Sequence, residues 1–149
     1  MASLPIYHNV TLFPQPTGYT CWSAATTMLF NDRSIGPGDA QHNEDGSLKP
    51  EYQNVAKFAA AYGLTLYAPQ TWTIDSLLDV LQYNPVACFG SLPNLHAIVL
   101  GGATGDGSHD GTQLKIFDPW PVGRGEIKNI GYGLWLKNFP EGTTYILQR

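Results

Sequence analysis

The hydrophobic and polar positions follow a helical period in the first half of the chain and a strand period in the second. Apolar residues recur at helical spacing in three segments. These predicted helices run from Cys21 to about Asn31, from Pro50 to Gly63, and from the capping residue Thr73 to Asn84-Pro85. Their predicted buried positions are Trp22, Ala25, Met28 and Leu29 in the first, Val55, Phe58, Ala59 and Tyr62 in the second, and Leu77, Leu78 and Leu81 in the third.

Short strands are predicted for most of the remaining chain. Residues 5–14 alternate loosely and predict an extended arm. The predicted strands are 64–67, 86–89, 96–101 (after a Pro-Asn-Leu turn at 93–95), 113–117, 132–139 and 143–147. The polar segment 31–49 and the Gly- and Asp-rich segment 101–111 are predicted to be long loops. Helices followed by strands favour an α+β fold, in a single domain over residues 1–149.

Composition and charge narrow the classes of function. Charged residues make up 13% of the chain, about half of the usual ~25%. The net charge is −4 without a basic run, so no nucleic-acid partner is expected. Apolar runs stay well below the ~18 residues of a membrane span, and the first residues lack the pattern of a signal peptide. We therefore expect no membrane partner and a cytoplasmic location.

The segment 15–25 places a cysteine at the start of the first helix. An irregular lead-in ends at Thr20, a good N-cap residue, so Cys21 falls in the first helical turn. Unpaired N–H groups and the positive end of the helix dipole favour a thiolate there. The alternative for an isolated cysteine is a buried apolar residue, which is how we interpret Cys88 in mid-strand. A Cys21–Cys88 disulfide also stays open, although two cysteines are too few for a disulfide scaffold.

Three further residues have the chemistry that a cysteine nucleophile needs. His96 opens an apolar strand, where a general base would be held firmly. Asp118 ends the next predicted strand, and antiparallel pairing brings the start of one strand beside the end of its partner. Gln15 is a candidate oxyanion donor together with the Cys21 amide. The alternatives are a histidine at the rim of a sheet, an aspartate that initiates a turn and a solvated loop amide.

The combined pattern resembles a known family. Its segments are Gln-x₅-Cys-Trp-Ser-Ala-Ala from residue 15, Asn-Pro-Val-Ala from 84, His-Ala-Ile-Val-Leu-Gly-Gly from 96 and Phe-Asp-Pro-Trp-Pro-x-Gly from 117. Together they resemble papain-like cysteine peptidases, and most of all the compact bacterial branch around the C39-like (double-glycine) and C70-like effector peptidases. The resemblance implies an N-terminal helical lobe whose nucleophile helix packs on a C-terminal twisted antiparallel sheet.

The resemblance also implies a role for each candidate. It makes Cys21 the nucleophile, His96 the base, Asp118 the carboxylate that orients the base, Gln15 the oxyanion donor, and Trp22 and Trp120 substrate contacts. The implied activity is hydrolysis of peptide bonds in a protein or peptide substrate, without a cofactor or a metal. The effector branch further implies a bacterial effector or toxin domain that acts in a target cell's cytoplasm, with a cognate inhibitor in its producer.

Other interpretations use the same residues. Glutamine deamidation, transglutamination and peptidoglycan amide hydrolysis all run on this type of triad, because the acyl acceptor or the substrate distinguishes them and not the triad. A degenerate papain-like module that only binds a partner is the non-enzymatic alternative.

A metal site is a further alternative, at Asp106, His109 and Asp110. These residues lack a known metal-ligand spacing, and we interpret them as a solvated hairpin tip.

Overall fold

A computed structural model describes residues 2–30, 42, 44, 46–90 and 96–149. Its helices are α1 (Cys21–Phe30), α2 (Tyr52–Ala61), α3 (Ile74–Leu81) and α4 (Tyr132–Asn138). Its strands are β1 (Ile6–Tyr7), β2 (Thr65–Tyr67), β3 (Val86–Gly90), β4 (His96–Gly105), β5 (Thr112–Asp118), β6 (Glu126–Gly131) and β7 (Tyr145–Gln148). Most of the predicted loop 31–49 and the predicted turn 93–95 lie outside the described residues. Among the described helices, none combines the length and the hydrophobicity needed to cross a membrane.

The strands form one antiparallel sheet. Its order is β2-β7-β3-β4-β5-β6, and β1 pairs with β4 beside this path. The hairpins from β3 to β6 follow the chain order, whereas β7 returns to pair between β2 and β3. This arrangement confirms the predicted α+β class. It also puts the first residue of β4 and the last residue of β5 at the same end of the sheet.

Helices pack on both faces of this sheet. On one face, α1 and α2 pack against Ala97 and Val99 of β4. On the other face, α3 and α4 pack against Ile98 and Leu100 of the same strand. Successive side chains of a strand point to opposite faces, so β4 contributes to both layers of the core. The sequence predicted that only one side of α1 would be buried. In the structure nine of its ten residues are buried.

The Gly-rich segment 101–105 belongs to the strand β4 and not to a loop. A Cβ added at Gly102 would lie 2.5 Å from the carbonyl oxygen of Ile6, and one added at Gly101 would lie 2.4 Å from Cε1 of Phe117. These two glycines therefore make room for close neighbours instead of turning the chain. The predicted loop from residue 101 was wrong, and only residues 106–111 form the turn.

Residues 132–139, predicted as a strand, form the helix α4 and its C-cap. Tyr132, Trp135 and Phe139 are buried, and their rings stack in sequence along one side of the helix. Leu134, between them, is half exposed. The prediction was wrong because the buried positions recur with the helical period. The strand β6, just before α4, was not predicted because its residues are mostly exposed at the sheet edge.

Candidate active site

Cys21 is the first residue of α1, as the sequence predicted. The amide of Ala24 donates the first helical hydrogen bond to the carbonyl oxygen of Thr20 at 3.1 Å, so Thr20 occupies the N-cap position. Its hydroxyl lies 2.8 Å from the Thr17 hydroxyl and so helps to hold the lead-in turn. Cys21 itself is buried, at 3% exposure.

The side chains of His96 and Asp118 meet where β4 begins and β5 ends. His96 Nε2 lies 3.0 Å from Asp118 Oδ1. The register pairs Val99 with Phe117, and its extension makes His96 and Asp118 diagonal neighbours on one face of the sheet. The structure thus brings together two residues that lie far apart in the sequence, at the end of the hairpin where they were expected.

His96 also forms a hydrogen bond with the side chain of Cys21. Because Nε2 faces Asp118, Nδ1 is the ring nitrogen that remains for the thiol. The His96 side chain is 41% exposed and that of Asp118 is 7% exposed, so solvent reaches the site from the histidine side. One path of hydrogen bonds therefore connects α1, β4 and β5.

The charges in this path support one another. Burial opposes a charge on His96, but the hydrogen bonds and charges of Asp118 and Cys21 outweigh it and raise the pKa of His96 to about 9. Burial also opposes the charge on Asp118, and by itself it would raise the pKa of that carboxyl group. Hydrogen bonds from His96, the Trp120 amide and Lys128, with the charge of His96, instead hold the pKa of Asp118 below its usual value. At neutral pH the site therefore holds an imidazolium beside a carboxylate.

We expect this pair to make the stability of the fold depend on pH. The pKa of His96 is raised from 6.5 to about 9 in the folded state, so the stabilisation is fully present below about pH 6.5 and is lost as the pH rises through about 9. The melting temperature should fall over that interval, and it should fall less in Asp118→Asn, which lacks the carboxylate. Thermal unfolding followed by circular dichroism from pH 6 to 10 measures both curves. A gap between the two proteins that stays constant with pH would contradict the expectation.

Lys128 belongs to the same site and was missed by the sequence analysis. Its Nζ lies 3.2 Å from Asp118 Oδ2, and the amide of Trp120 donates to Asp118 Oδ1 at 2.9 Å. The register pairs Lys128 with Ile116, so Lys128 is a diagonal neighbour of Asp118 on the opposite side from His96. A lysine two residues along from the cross-strand partner of Asp118 would have been a usable signal, but only once β6 was recognised as a strand.

Gln15 ties the lead-in of α1 to the turn after β5. The backbone N–H of Gln15 donates to the carbonyl oxygen of Pro119 at 3.0 Å. Its backbone carbonyl oxygen accepts from the backbone N–H of Gly123 at 3.0 Å. The side chain is buried, and its Nε2 donates to the carbonyl oxygens of Thr17 at 2.8 Å and Gly18 at 3.1 Å. The solvated loop amide considered from the sequence is therefore wrong. Its Oε1 has no hydrogen-bond partner among the described residues.

The two tryptophan candidates differ in exposure. Trp22 is completely buried. Its Nε1 donates to the carbonyl oxygen of Gly46 at 2.9 Å, and its ring meets the ring of Phe58 edge-on with the centroids 5.4 Å apart. The ring is thus enclosed in the core, and nothing among the described residues supports the predicted role of Trp22 as a substrate contact. Trp120 is 50% exposed, and its role as a substrate contact stays a prediction.

The second cysteine is separate from this site. Neither Cys21 nor Cys88 forms a disulfide, so the disulfide left open by the sequence is not formed. Cys88 packs between the sheet and the α3–α4 layer, where burial raises its pKa to about 12. It therefore remains a protonated thiol in the core at neutral pH.

The hairpin tip between β4 and β5 lies apart from the site. There Asp106 Oδ1 accepts hydrogen bonds from the amide of Ser108 at 2.9 Å and from its hydroxyl at 2.6 Å. His109 Nδ1 lies 2.9 Å from Asp110 Oδ1, and both side chains are well exposed. Within the part of the chain that the structure describes, no cluster of three or more His, Cys, Asp or Glu side chains is arranged to hold a metal ion.

A cavity of about 360 Å³ opens beside the charged residues. Its polar side is formed by His96, Asp118 and Lys128, and its remaining wall is mostly apolar, with Ile98, Ile116, Ile130, Leu134 and Phe139. Apolar surroundings lower the effective dielectric constant, which strengthens interactions between neighbouring charges. The cavity therefore gives the three charged side chains a partly sheltered environment.

A comparison with protein-family models places these residues in a known context. Residues 3–130 match the peptidase family C70, described as papain-like cysteine protease AvrRpt2. The matched range is most of the chain and contains α1, β4 and β5, which carry Cys21, His96 and Asp118. It agrees with the papain-like resemblance and with its C70-like branch. A search of curated proteins and a search of solved structures each returned no match.

Proposed function

The chain belongs to the family of the papain-like cysteine protease AvrRpt2, and from that premise we propose that Cys21, His96 and Asp118 form its catalytic triad. A cysteine protease hydrolyses peptide bonds, so the substrate is a protein or a peptide. The observation that carries the proposal is the path of hydrogen bonds from Cys21 through His96 to Asp118. These residues match the nucleophile, the base and the orienting carboxylate that cysteine catalysis requires.

In the proposed first step, Cys21 and His96 rest as a thiolate and an imidazolium. The thiolate attacks the carbonyl carbon of the scissile bond, and the electron pair of the C=O double bond moves to the oxygen. The backbone N–H of Cys21, in the first turn of α1, donates to this oxyanion. When the C–N bond then breaks, His96 gives its proton to the leaving amine.

In the second step, water releases the acyl group from Cys21. The neutral His96 takes a proton from the water, whose oxygen attacks the thioester carbon. The C–S bond breaks, the product leaves with a carboxyl group, and the thiolate and imidazolium are restored. Throughout the cycle Asp118 accepts the hydrogen bond from Nε2, which keeps the ring oriented and stabilises its charge.

We further propose Gln15 as the second oxyanion donor. Its support is its position in the lead-in to α1 and its burial next to the turn that follows Asp118. In this structure its Nε2 donates to two carbonyl oxygens of the lead-in. Donation to a substrate therefore requires one of these hydrogen bonds to be exchanged for a bond to the oxyanion.

Gln15→Ala separates an oxyanion donor from a residue that only holds the loop. We expect turnover to fall on the order of 10²–10³-fold, as for the loss of one oxyanion donor. The rate of Cys21 alkylation by iodoacetamide should stay unchanged, because displacement of iodide creates no oxyanion. Both rates are measured on the same preparations. An equal fall in both rates would contradict the proposed role of Gln15.

Incubation with a proteome-derived peptide library tests the peptidase activity. Wild type and Cys21→Ala are compared by mass spectrometry for new peptide termini, and the released ammonia is measured in parallel. New termini that depend on Cys21 support peptide-bond hydrolysis. Release of ammonia without new termini would assign the triad to glutamine deamidation, and the absence of both products would favour the binding module.

We also propose that the protease acts in the cytoplasm of a target cell as an effector or toxin, and that an inhibitor protein in the producing cell occludes its site. This proposal rests on the resemblance to the C70-like effector branch. Expression in a bacterial or host cytoplasm should slow growth relative to Cys21→Ala. Equal growth of the two strains would contradict it.

A further inference from the structure

We propose that Lys128 is a positioning residue of the site, which holds the Asp118 carboxylate in the orientation that His96 requires. Lys128 Nζ lies 3.2 Å from Asp118 Oδ2. The other oxygen, Oδ1, faces His96 Nε2 at 3.0 Å and the amide of Trp120 at 2.9 Å. Lys128 thus acts through Asp118 and not on the substrate. The inference rests on the proposed triad.

The geometry explains why a second anchor matters. The torsion that turns the carboxylate group of an aspartate is broad, so a single hydrogen bond to His96 leaves the plane of the group loosely defined. Lys128 on Oδ2 and the Trp120 amide on Oδ1 hold both oxygens at once. A rotation that moved Oδ1 away from His96 would also break these two contacts.

The fold places Lys128 for this task. It lies on β6, where the register sets it across from Ile116 and sets Glu126 across from Asp118. Its side chain is 43% exposed and lines the cavity beside Ile116 and Ile130, as expected for a lysine whose alkyl stem covers apolar surface. Glu126, a second carboxylate on β6, pairs with Arg124, whose Nη2 lies 3.6 Å from Glu126 Oε1.

Orientation and simple charge predict opposite effects on His96. As a positive charge alone, Lys128 disfavours the imidazolium, so its removal would raise the pKa of His96. As a positioning residue, Lys128 keeps Asp118 bonded to His96, so its removal lets the carboxylate turn and lowers that pKa. Among the described residues, the titratable groups that face this pair are Cys21 on α1 and Lys128 and Glu126 on β6, whereas α4 contributes the uncharged Leu134 and Asn138 to the cavity.

Three variants make the test. Lys128→Met keeps a long apolar side chain and removes the ammonium group, and Lys128→Arg keeps the positive charge and the hydrogen-bond donors. Arg124→Gln is the matched control, since it removes a neighbouring charge that pairs with Glu126. The pKa of His96 is measured by NMR of the labelled imidazole ring. Cys21 alkylation by iodoacetamide, and kcat and KM for one cleaved peptide taken from the library, are followed over the same pH range.

In Lys128→Met we expect the pKa of His96 to fall and the basic limb of both pH profiles to move to lower pH. We expect kcat to fall about 10-fold with KM unchanged, the size typical of second-layer partners of a reactive group. Lys128→Arg should recover most of both losses, and Arg124→Gln should behave as wild type.

A pKa of His96 that rises or stays unchanged in Lys128→Met would overturn the inference, even if the protein were also less stable. An equal fall of the His96 pKa in Arg124→Gln would overturn it too, since it would show that the fall does not depend on the contact between Lys128 and Asp118. Full hydrolysis by Cys21→Ala would instead overturn the proposed triad, which separates the two failures.

Discussion

Cys21→Ala is expected to abolish peptide hydrolysis, with a fall in kcat on the order of 10⁶-fold, as for a protease that loses its nucleophile. The thiol forms a hydrogen bond with His96 at the start of α1, and in the proposed mechanism its loss leaves no atom to form the acyl-enzyme. Alanine is a good helix former, and only the sulfur is removed, so the fold should be retained. Mass spectrometry of the digested peptide library measures the loss.

The second cysteine supplies the matched control for this variant. Cys88 is completely buried on the other side of the sheet, and burial raises its pKa to about 12. Cys88→Ala should lower the melting temperature, because it leaves a small cavity in the core, but it should keep its hydrolytic activity. Hydrolysis by Cys21→Ala at the wild-type rate would refute the triad.

His96→Ala should have an effect of similar size, on the order of 10⁶-fold in kcat, because a nucleophile and its base act as one unit. In the proposed mechanism the ring takes and returns the proton of Cys21 and protonates the leaving amine, so both steps are lost with it. The imidazolium that stabilises the thiolate in the proposed mechanism is also lost. The variant should therefore lose both turnover and the special reactivity of the thiol.

Limiting iodoacetamide from pH 5 to 9, with the modified residue mapped by mass spectrometry, measures this reactivity. Wild type should be labelled quickly at Cys21 down to acidic pH. In His96→Ala, labelling should rise only near the ordinary thiol pKa of ~8.5. His109→Ala is the control, since His109 Nδ1 forms the same kind of contact with Asp110 at 2.9 Å on an exposed hairpin tip. Equal labelling profiles of His96→Ala and wild type would show that Cys21 is not activated.

The candidate site was largely visible in the sequence because its parts sit at the ends of local elements. The start of α1 at Cys21 follows from the lead-in and Thr20, both within a few residues of it. His96 begins a strand and Asp118 ends the next one. A hairpin between adjacent antiparallel strands necessarily brings those two ends together.

Other parts of the site depend on packing that a sequence pattern does not contain. Lys128 joins Asp118 through the register of an exposed edge strand, whose polar sequence lacks the usual alternation. Trp22 had the chemistry of a substrate contact, but α1 is covered on nearly all sides. Gln15 was placed near the nucleophile, yet the partners of its side chain follow from the course of the lead-in.

By itself, the sequence determined the α+β class, α1 to α3, most of the strands, and three chemical groups at element ends. Caps and periods are local, so they act through residues within one or two turns of each other; Thr73 Oγ1, for example, accepts from the amide of Ser76 at 3.1 Å at the start of α3. Only the tertiary structure decided what Gly102 and Lys128 do. Gly102 is required because Ile6 of the distant arm approaches its backbone closely. Lys128 reaches Asp118 because β6 pairs with β5. Such contacts join residues far apart in the chain, and they exist only once the strands of the sheet have paired.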